Sequence, residues 1–300
     1  MNGEAAVPEL PDLTIYIEAM AERISDKMLL GIRISNPFIL RSVNPSVAEI
    51  CNHRVTGFDL SGKQIIIKLE NDYFILIHLM IAGRLQWYKS GAKIPAKRGL
   101  IAFDFETGTL ILTEAGQKRR ASVNLVQGDE ALRDFDRGGL RLVDADLGSF
   151  IEALSKENHT LKRSLTDQRF LSGVGNAYSD EILHRARISP MRQIRHLTDE
   201  QWLSLFNSTI AVMEEWTDKL REKAAGTFPK KVTAFHDEMA VHGKYKTPCP
   251  DCGNPVQRIR YATNECNYCA ACQTQGNLLA DRSLSRLLKK DWPKTLEELD

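Results

Sequence analysis

Cys249-Pro250-Asp251-Cys252 and Cys269-Ala270-Ala271-Cys272 are two CxxC knuckles with sixteen residues between them. Each knuckle turns both of its thiolates toward one ion, and the two together complete a tetrahedral four-thiolate zinc site. No coordination position is left open, so the expected zinc is a single structural ion held by Cys249, Cys252, Cys269 and Cys272. A pair of disulfides is the rival reading; in a chain with no export signal, four cysteines so spaced favour metal over disulfides. The remaining two of the six cysteines, Cys51 and Cys266, lack such spacing. Lys244, Lys246, Arg258 and Arg260 lie just before and within this module and favour a polyanionic partner.

Upstream of the knuckles the pattern is helical. Ala177 to Arg187 and Asp199 to Lys223 read as helices, the second opened by a Thr198 cap with Gln201 completing a capping box. Ser172-Gly173-Val174-Gly175-Asn176 sits directly before the first of them. Glycines at a helix start let backbone N–H groups approach an anion at the positive end of the dipole, and the Asn176 amide adds a donor. A plain helix-turn connection is the competing reading. Farther back, Leu29 to Val126 has a β texture. Gln64 to Leu69, Tyr73 to Leu79, Leu100 to Phe105 and Thr109 to Thr113 are short β-rich runs broken by turn residues, which suggests a β-sandwich. Leu13, Ile17, Met20 and Ile24 precede it at helical spacing, with Asp12 as the expected cap. Asp129 to Gly148 is acidic and glycine-containing and reads as a linker.

These parts define an α+β multidomain chain. The expected divisions are a β-sandwich domain with a leading helix over 8–135, a helical domain over 150–235, a four-cysteine finger over 245–276 and a charged tail over 277–300. The 300 residues are 43% hydrophobic and 26% charged, enough for a sizeable core and against general disorder. The longest nearly uncharged apolar run, Ile75 to Gly83, is about half of a bilayer span, and Met1 to Val7 has no secretory character. A monomer used in the cytoplasm, at the nucleoid, is the expectation, with no membrane partner. The net charge is only +1. Even so, Arg84, Lys89, Lys93, Lys97 and Arg98, then Lys118-Arg119-Arg120, then Arg185, Arg187, Arg192 and Arg195 are segregated from the acids, as a phosphate-binding face or as solvated surfaces.

Pro8-Glu9-Leu10-Pro11 near the start, Gly173-Val174-Gly175-Asn176 followed by Tyr178 and Glu181, and the four-cysteine finger at the end occur in one order. In this the chain resembles the formamidopyrimidine-DNA glycosylase / endonuclease VIII family of base-excision repair enzymes, over roughly Pro8 to Gln273. The resemblance implies an N-terminal β-sandwich, a helix–two-turns–helix domain and a zinc finger, with damaged double-stranded DNA as the partner, held in the cleft between domains. It also implies a bifunctional glycosylase and abasic-site lyase. The N-terminal proline amine, here Pro8, would attack C1′ and form an iminium, with β- and δ-elimination following. Glu9 would handle protons at the sugar and Lys63 would assist from a hairpin turn. His78, Arg98, Lys118, Arg119, Arg120, Asn176, Arg258 and Arg260 would contact DNA.

Five departures from the family pattern bear on this expectation. Seven residues precede Pro8, and an amide nitrogen is delocalised and not nucleophilic. The expectation is therefore a start at the Val7 codon, read as Met and trimmed, or removal of those residues. In His78-Leu79-Met80-Ile81-Ala82-Gly83, Ile81 replaces the methionine that fills the hole left by the flipped base. In Glu114 to Ser122, Ala121 stands where the wedging phenylalanine is expected, which should weaken extrusion from intact duplex. The Gly226 to Gly243 segment is shorter than in oxidised-guanine-specific members, and Asn264 takes the place of the finger arginine. The other readings are a non-catalytic damaged-DNA-binding protein on the same scaffold and a zinc-ribbon adaptor for RNA or protein. The second leaves Pro8 to Pro11 and Lys63 unexplained.

Overall fold

The computed structural model describes residues 7–115, 119–230, 232–261, 264–281, 286–288 and 293–299. The chain divides into two compact units. One takes the described residues up to Arg137 together with Trp216–Ala234, and the other takes Gly138–Glu215 and the chain from Phe235 onward.

The first unit begins with α1 (Leu10–Ile24). The expected cap is displaced: Glu9, not Asp12, is the N-cap, and Asp12 at N3 reaches back to accept from the Glu9 N–H at 2.9 Å. Pro11 explains the shift, since a residue without an N–H is tolerated in the first turn, where no intrahelical donor is needed. The buried face carries Leu13, Tyr16, Met20 and Ile24, with Ile17 only half-buried. Eight strands follow: β1 (Met28–Ile34), β2 (His53–Ser61), β3 (Gln64–Leu69), β4 (Tyr73–His78), β5 (Gly83–Tyr88), β6 (Gly99–Phe105), β7 (Gly108–Glu114) and β8 (Ser122–Gln127). A short helix α2 (Val47–Ile50) lies between β1 and β2.

The strands pair antiparallel in the order β5-β7-β6-β1-β2-β3-β4-β8. The β1–β2 link is slender, with Met28 opposite Arg54 and Leu29 opposite His53. On either side of that link the two halves share one core. Ile65, Ile67, Ile75, Ile77 and Val123 from one half pack with Leu85, Ile101, Phe103, Leu110 and Leu112 from the other. The result is the expected sandwich, folded from one sheet. Because side chains alternate along a strand, Ile66, Phe74, Leu76 and Val126 emerge on the outer face. Leu132 and Phe135 cover them, from and just after α3 (Asp129–Arg133). The start of the expected linker is thus a structural cover, because it carries these two apolar residues among its acids.

In the second unit the helices are α4 (Leu147–Ser155), α5 (Leu161–Thr166), α6 (Asn176–Arg185) and the part of α7 (Asp199–Ala224) up to Glu215. The box at the start of α7 is formed: Gln201 N donates to Thr198 Oγ1 at 3.3 Å and Thr198 N to Gln201 Oε1 at 3.2 Å. Strands β9 (Gln257–Tyr261) and β10 (Asn264–Tyr268) form a hairpin, followed by α8 (Ala270–Thr274). Leu278, Leu279 and Leu296 from the tail pack on Ile259, Tyr268 and Ala270 of this finger. Among the described residues no helix is long and apolar enough to cross a membrane.

Candidate active site and metal centre

At the N-terminal edge of the sandwich, Glu9 is only 1% exposed although it caps a helix. Lys63 reaches it from the β2–β3 turn, where Gly62 takes the left-handed conformation (φ 58°) that favours glycine. Lys63 Nζ stands 3.9 Å from Glu9 Oε1, and both side chains are largely withdrawn from solvent. Pro8, also buried, adjoins the pair through the chain. A carboxylate and an ammonium so placed can hold and exchange a proton at one point in space.

His78 is brought beside this pair by the sheet, since it lies opposite Gln64 in the β3–β4 register. Burial, and then the Lys63 and Arg137 charges, push its imidazole down to about 4. It is neutral at pH 7, and its Nδ1 accepts from Met80 N at 3.1 Å. This contact braces the turn toward Gly83, in which Met80 has φ 53° and Ile81 is 41% exposed. Arg84 braces the same turn through the carbonyls of Gly83 at 2.6 Å and Ile81 at 3.3 Å.

Arg98, Arg119 and Arg120 are all exposed, while Lys118 lies outside the described residues. Arg119 Nη2 donates to Lys97 O at 2.8 Å, which ties two of the basic runs together. The buried Glu114 carboxylate accepts from the N–H groups of Arg120 and Ala121 at 3.0 and 3.1 Å. Ala121 is therefore drawn into the core, 3% exposed, and is no wedge.

In the second unit Asn176 opens α6, but its amide donates to Glu265 O at 2.8 Å and so also fastens the finger hairpin. The turn before it is braced by Gln168, whose amide accepts from Gly173 N at 2.8 Å and donates to Val174 O at 2.6 Å. Arg258 stacks 4.1 Å from the Tyr245 ring centre and stands 3.5 Å from Glu265 Oε2. Arg260 is the more exposed of the two, 3.9 Å from the same carboxylate. The backbone of Asn264 pairs with Tyr261 across the hairpin.

The sequence reading missed a buried polar spine along α6. Lys162 Nζ pairs with Asp180 Oδ1 and donates to Asn176 O at 2.6 Å and Ser179 Oγ at 2.8 Å. Asp180 also meets His242 Nδ1 at 2.8 Å and accepts from Asn267 N at 3.1 Å. Burial works to raise the Asp180 carboxyl, but Lys162 and His242 outweigh it and hold it below its ordinary value. Glu181 accepts from the N–H groups of Ala240, Val241 and His242 at 2.8, 2.9 and 3.0 Å. The available signal was Asp180-Glu181 standing inside an otherwise buried helical stretch.

The four knuckle cysteines converge. Their Sγ atoms all lie within 4.8 Å of one another, with 4.0 Å for Cys249–Cys272 and 3.4 Å for Cys252–Cys269. Zn–S bonds of about 2.3 Å in a tetrahedron put sulfurs roughly 3.8 Å apart, so the donor set fits one zinc ion. Burial first, and then the neighbouring cysteine thiols, push the Cys272 thiol up to about 11 and Cys269 higher still. Burial acts the same way on Cys252, but the Asn254 amides prevail and bring it down to about 7. Such a set becomes fully thiolate only around a cation.

The comparisons with known proteins agree on the class first: a sandwich, a helix–two-turns–helix segment and a four-cysteine cluster in this order mark the base-excision DNA glycosylases. The formamidopyrimidine-DNA glycosylase N-terminal domain matches residues 7–122, and the formamidopyrimidine-DNA glycosylase H2TH domain matches residues 142–223. A formamidopyrimidine-DNA glycosylase-like protein of Mycobacterium tuberculosis is 35% identical over 147 residues, covering 49% of this chain and 91% of that one. The formamidopyrimidine-DNA glycosylase of Wolbachia sp. subsp. Brugia malayi is 26% identical over 89% of this chain and all of its own length. The fold matches that of the Lactococcus lactis protein bound to FAPY-dG-containing DNA, with a TM-score of 0.78, 24% identity, and coverage of 89% of this chain and 100% of that one. The chain belongs to the formamidopyrimidine-DNA glycosylase / endonuclease VIII family.

Proposed function

We propose that this protein is a DNA glycosylase that removes oxidised or ring-opened bases from double-stranded DNA and then cleaves the abasic site, with Pro8 freed as the N-terminal amine. The observation that carries this is the buried Glu9–Lys63 pair, 3.9 Å apart beside Pro8. The freed secondary amine attacks C1′ of the damaged nucleotide, and the C1′–base bond breaks with its electrons leaving on the base, which takes up a proton. The nitrogen then loses a proton to become a neutral amine, and its lone pair opens the sugar ring to the iminium as the ring oxygen is protonated. The iminium acidifies the C2′ hydrogen; its removal expels the 3′-phosphate, and a second elimination expels the 5′-phosphate. Glu9 is the group to move protons at the sugar, and Lys63 the charge that stabilises oxyanions there.

In this reading residues 8–135 are the catalytic domain, 150–235 the helix–two-turns–helix DNA-binding domain, 245–276 the finger and 277–300 a tail, and the protein works as a monomer. Arg98, Lys118, Arg119, Arg120, Asn176, Arg258 and Arg260 grip phosphates, and His78 supports the turn that carries Ile81. The four cysteines hold one structural zinc ion, which supplies no chemistry to the reaction. The match of the N-terminal family to residues 7–122, beginning one residue before Pro8, supports a mature end at Pro8.

Borohydride trapping on an abasic-site duplex, with protein made from its native gene, tests the reading. A cross-link on an N-terminal Pro8 is expected. A second reading rests on the seven residues before Pro8: with them retained, the same scaffold binds abasic DNA and does not cut it. Tight binding without a cross-link, together with an intact Met1 by mass, would establish that reading instead.

A further inference from the structure

His184 is used by none of the chemistry above, yet it is 4% exposed, while Arg185 and Arg187 close to it in the chain are exposed. It lies on α6, the helix that Asn176 opens, and its Nε2 stands 3.3 Å from Cys249 Sγ. Asp251 Oδ2 lies 4.0 Å from that nitrogen, beyond hydrogen-bond reach, with Arg187 holding the carboxylate at 3.1 Å, and His184, Asp251 and Cys272 bring their ligand atoms within 4.8 Å of one another. Cys249 is itself only 2% exposed and is walled by Val241 and Val256. A thiolate there has almost no access to water and needs a donor from the protein.

We propose that His184 is a positioning residue of the zinc centre, its Nε2–H donating to the Cys249 thiolate and slowing release of the metal. A metal-bound thiolate has no proton to give, so at 3.3 Å the imidazole is the donor. Four thiolates around a dication carry two excess negative charges, and N–H donors from surrounding groups disperse them. Cys252, at the exposed side of the cluster, receives such a donor from the Asn254 amide at 3.6 Å. For buried Cys249 the side chain of His184 fills that place. Outer groups of this kind typically change metal affinity by about 10–100-fold.

The inference depends on the four-cysteine centre and not on the glycosylase reading, and its test uses no DNA. Full-length protein, His184→Phe and His184→Gln are loaded with zinc and mixed with an excess of a chromogenic chelator. Each is expected to bind one zinc ion, His184→Phe to release it about 10-fold faster or more, and His184→Gln, which keeps an N–H donor, to stay close to wild type. Equal release from all three would overturn the proposal. So would equal acceleration in both variants, since packing and not the donor would then be responsible. A His184→Phe chain that fails to fold is replaced by His184→Met. The thiolate-to-metal charge-transfer band of the cobalt(II)-loaded forms then decides: it should shift in the methionine variant and not in the glutamine one. Superimposable bands in all forms would refute the hydrogen bond.

Discussion

The two units bury carboxylates in opposite ways. Along α6, Asp180 and Glu181 are saturated: one meets Lys162, His242 and Asn267, and the other takes three successive backbone N–H groups. At the edge of the sandwich, Glu9 closes a helix end and stands 3.9 Å from Lys63, with Pro8 beside it in the chain. A charge held by several close partners is fixed and unreactive, because moving a proton onto it breaks every one of those contacts. A buried carboxylate set beside a lysine and a candidate nucleophile is instead placed where a bound sugar would meet both. The α6 acids therefore belong to the scaffold, and Glu9, beside Lys63 and Pro8, is the candidate for the chemistry.

The largest expected effect is at the candidate site. Glu9→Gln keeps a side chain able to cap α1, so the midpoint of thermal unfolding should move little, while base excision on damaged duplex should slow by about 10²–10⁴-fold. A variant with wild-type single-turnover rates would remove Glu9 from the chemistry and break the contrast. Next comes the saturated side. Asp180→Ala leaves Lys162 buried without its counter-charge, and loss of one partner of such a pair costs about 3–5 kcal/mol. Urea denaturation should show that loss in stability. An unchanged midpoint would mean the spine is ornamental. Removing zinc with a chelator should loosen the finger hairpin, read as faster amide exchange over β9 and β10 with the strands of the sandwich unaffected.

The same contrast explains what could be read from the sequence. The knuckles, the Thr198–Gln201 box and the short β runs are patterns closed within a few residues, and local spacing decides them. Lys162 and Asp180 are 18 residues apart, while His242 and Asn267 lie 62 and 87 residues beyond Asp180. No local periodicity signals such a network; tertiary folding alone assembles it. The reading of Asp12 as a cap failed for a local reason, because proline at Pro11 suits a helix's first turn as well as the position before it. Lys63 was identified through family resemblance, and a lysine in a turn carries no signal by itself.

Acid should separate the two kinds of burial by pH window, the smallest effect and the sharpest. His78 sits against the Glu9–Lys63 site with its imidazole pushed down to about 4 by burial and by Lys63 and Arg137. Unfolded, it takes up its proton near 6.5, so between about 6.5 and 4 the unfolded chain binds a proton that the native chain does not. Stability from this group is complete above that window and falls as pH drops through it, by up to about 1.4 kcal/mol per pH unit. Asp180 acts lower. Its folded value is depressed, so its contribution holds above the ordinary carboxylate value near 3.9 and is lost only as pH falls from there. His78→Gln should therefore flatten the decline between pH 6.5 and 4 and leave the steeper loss below pH 4 in place. Urea midpoints measured for both proteins across that range decide the matter: parallel curves between pH 6.5 and 4 would mean that His78 is protonated as easily in the fold as in water, and that the corner beside Lys63 is wetter and less confined than its geometry implies.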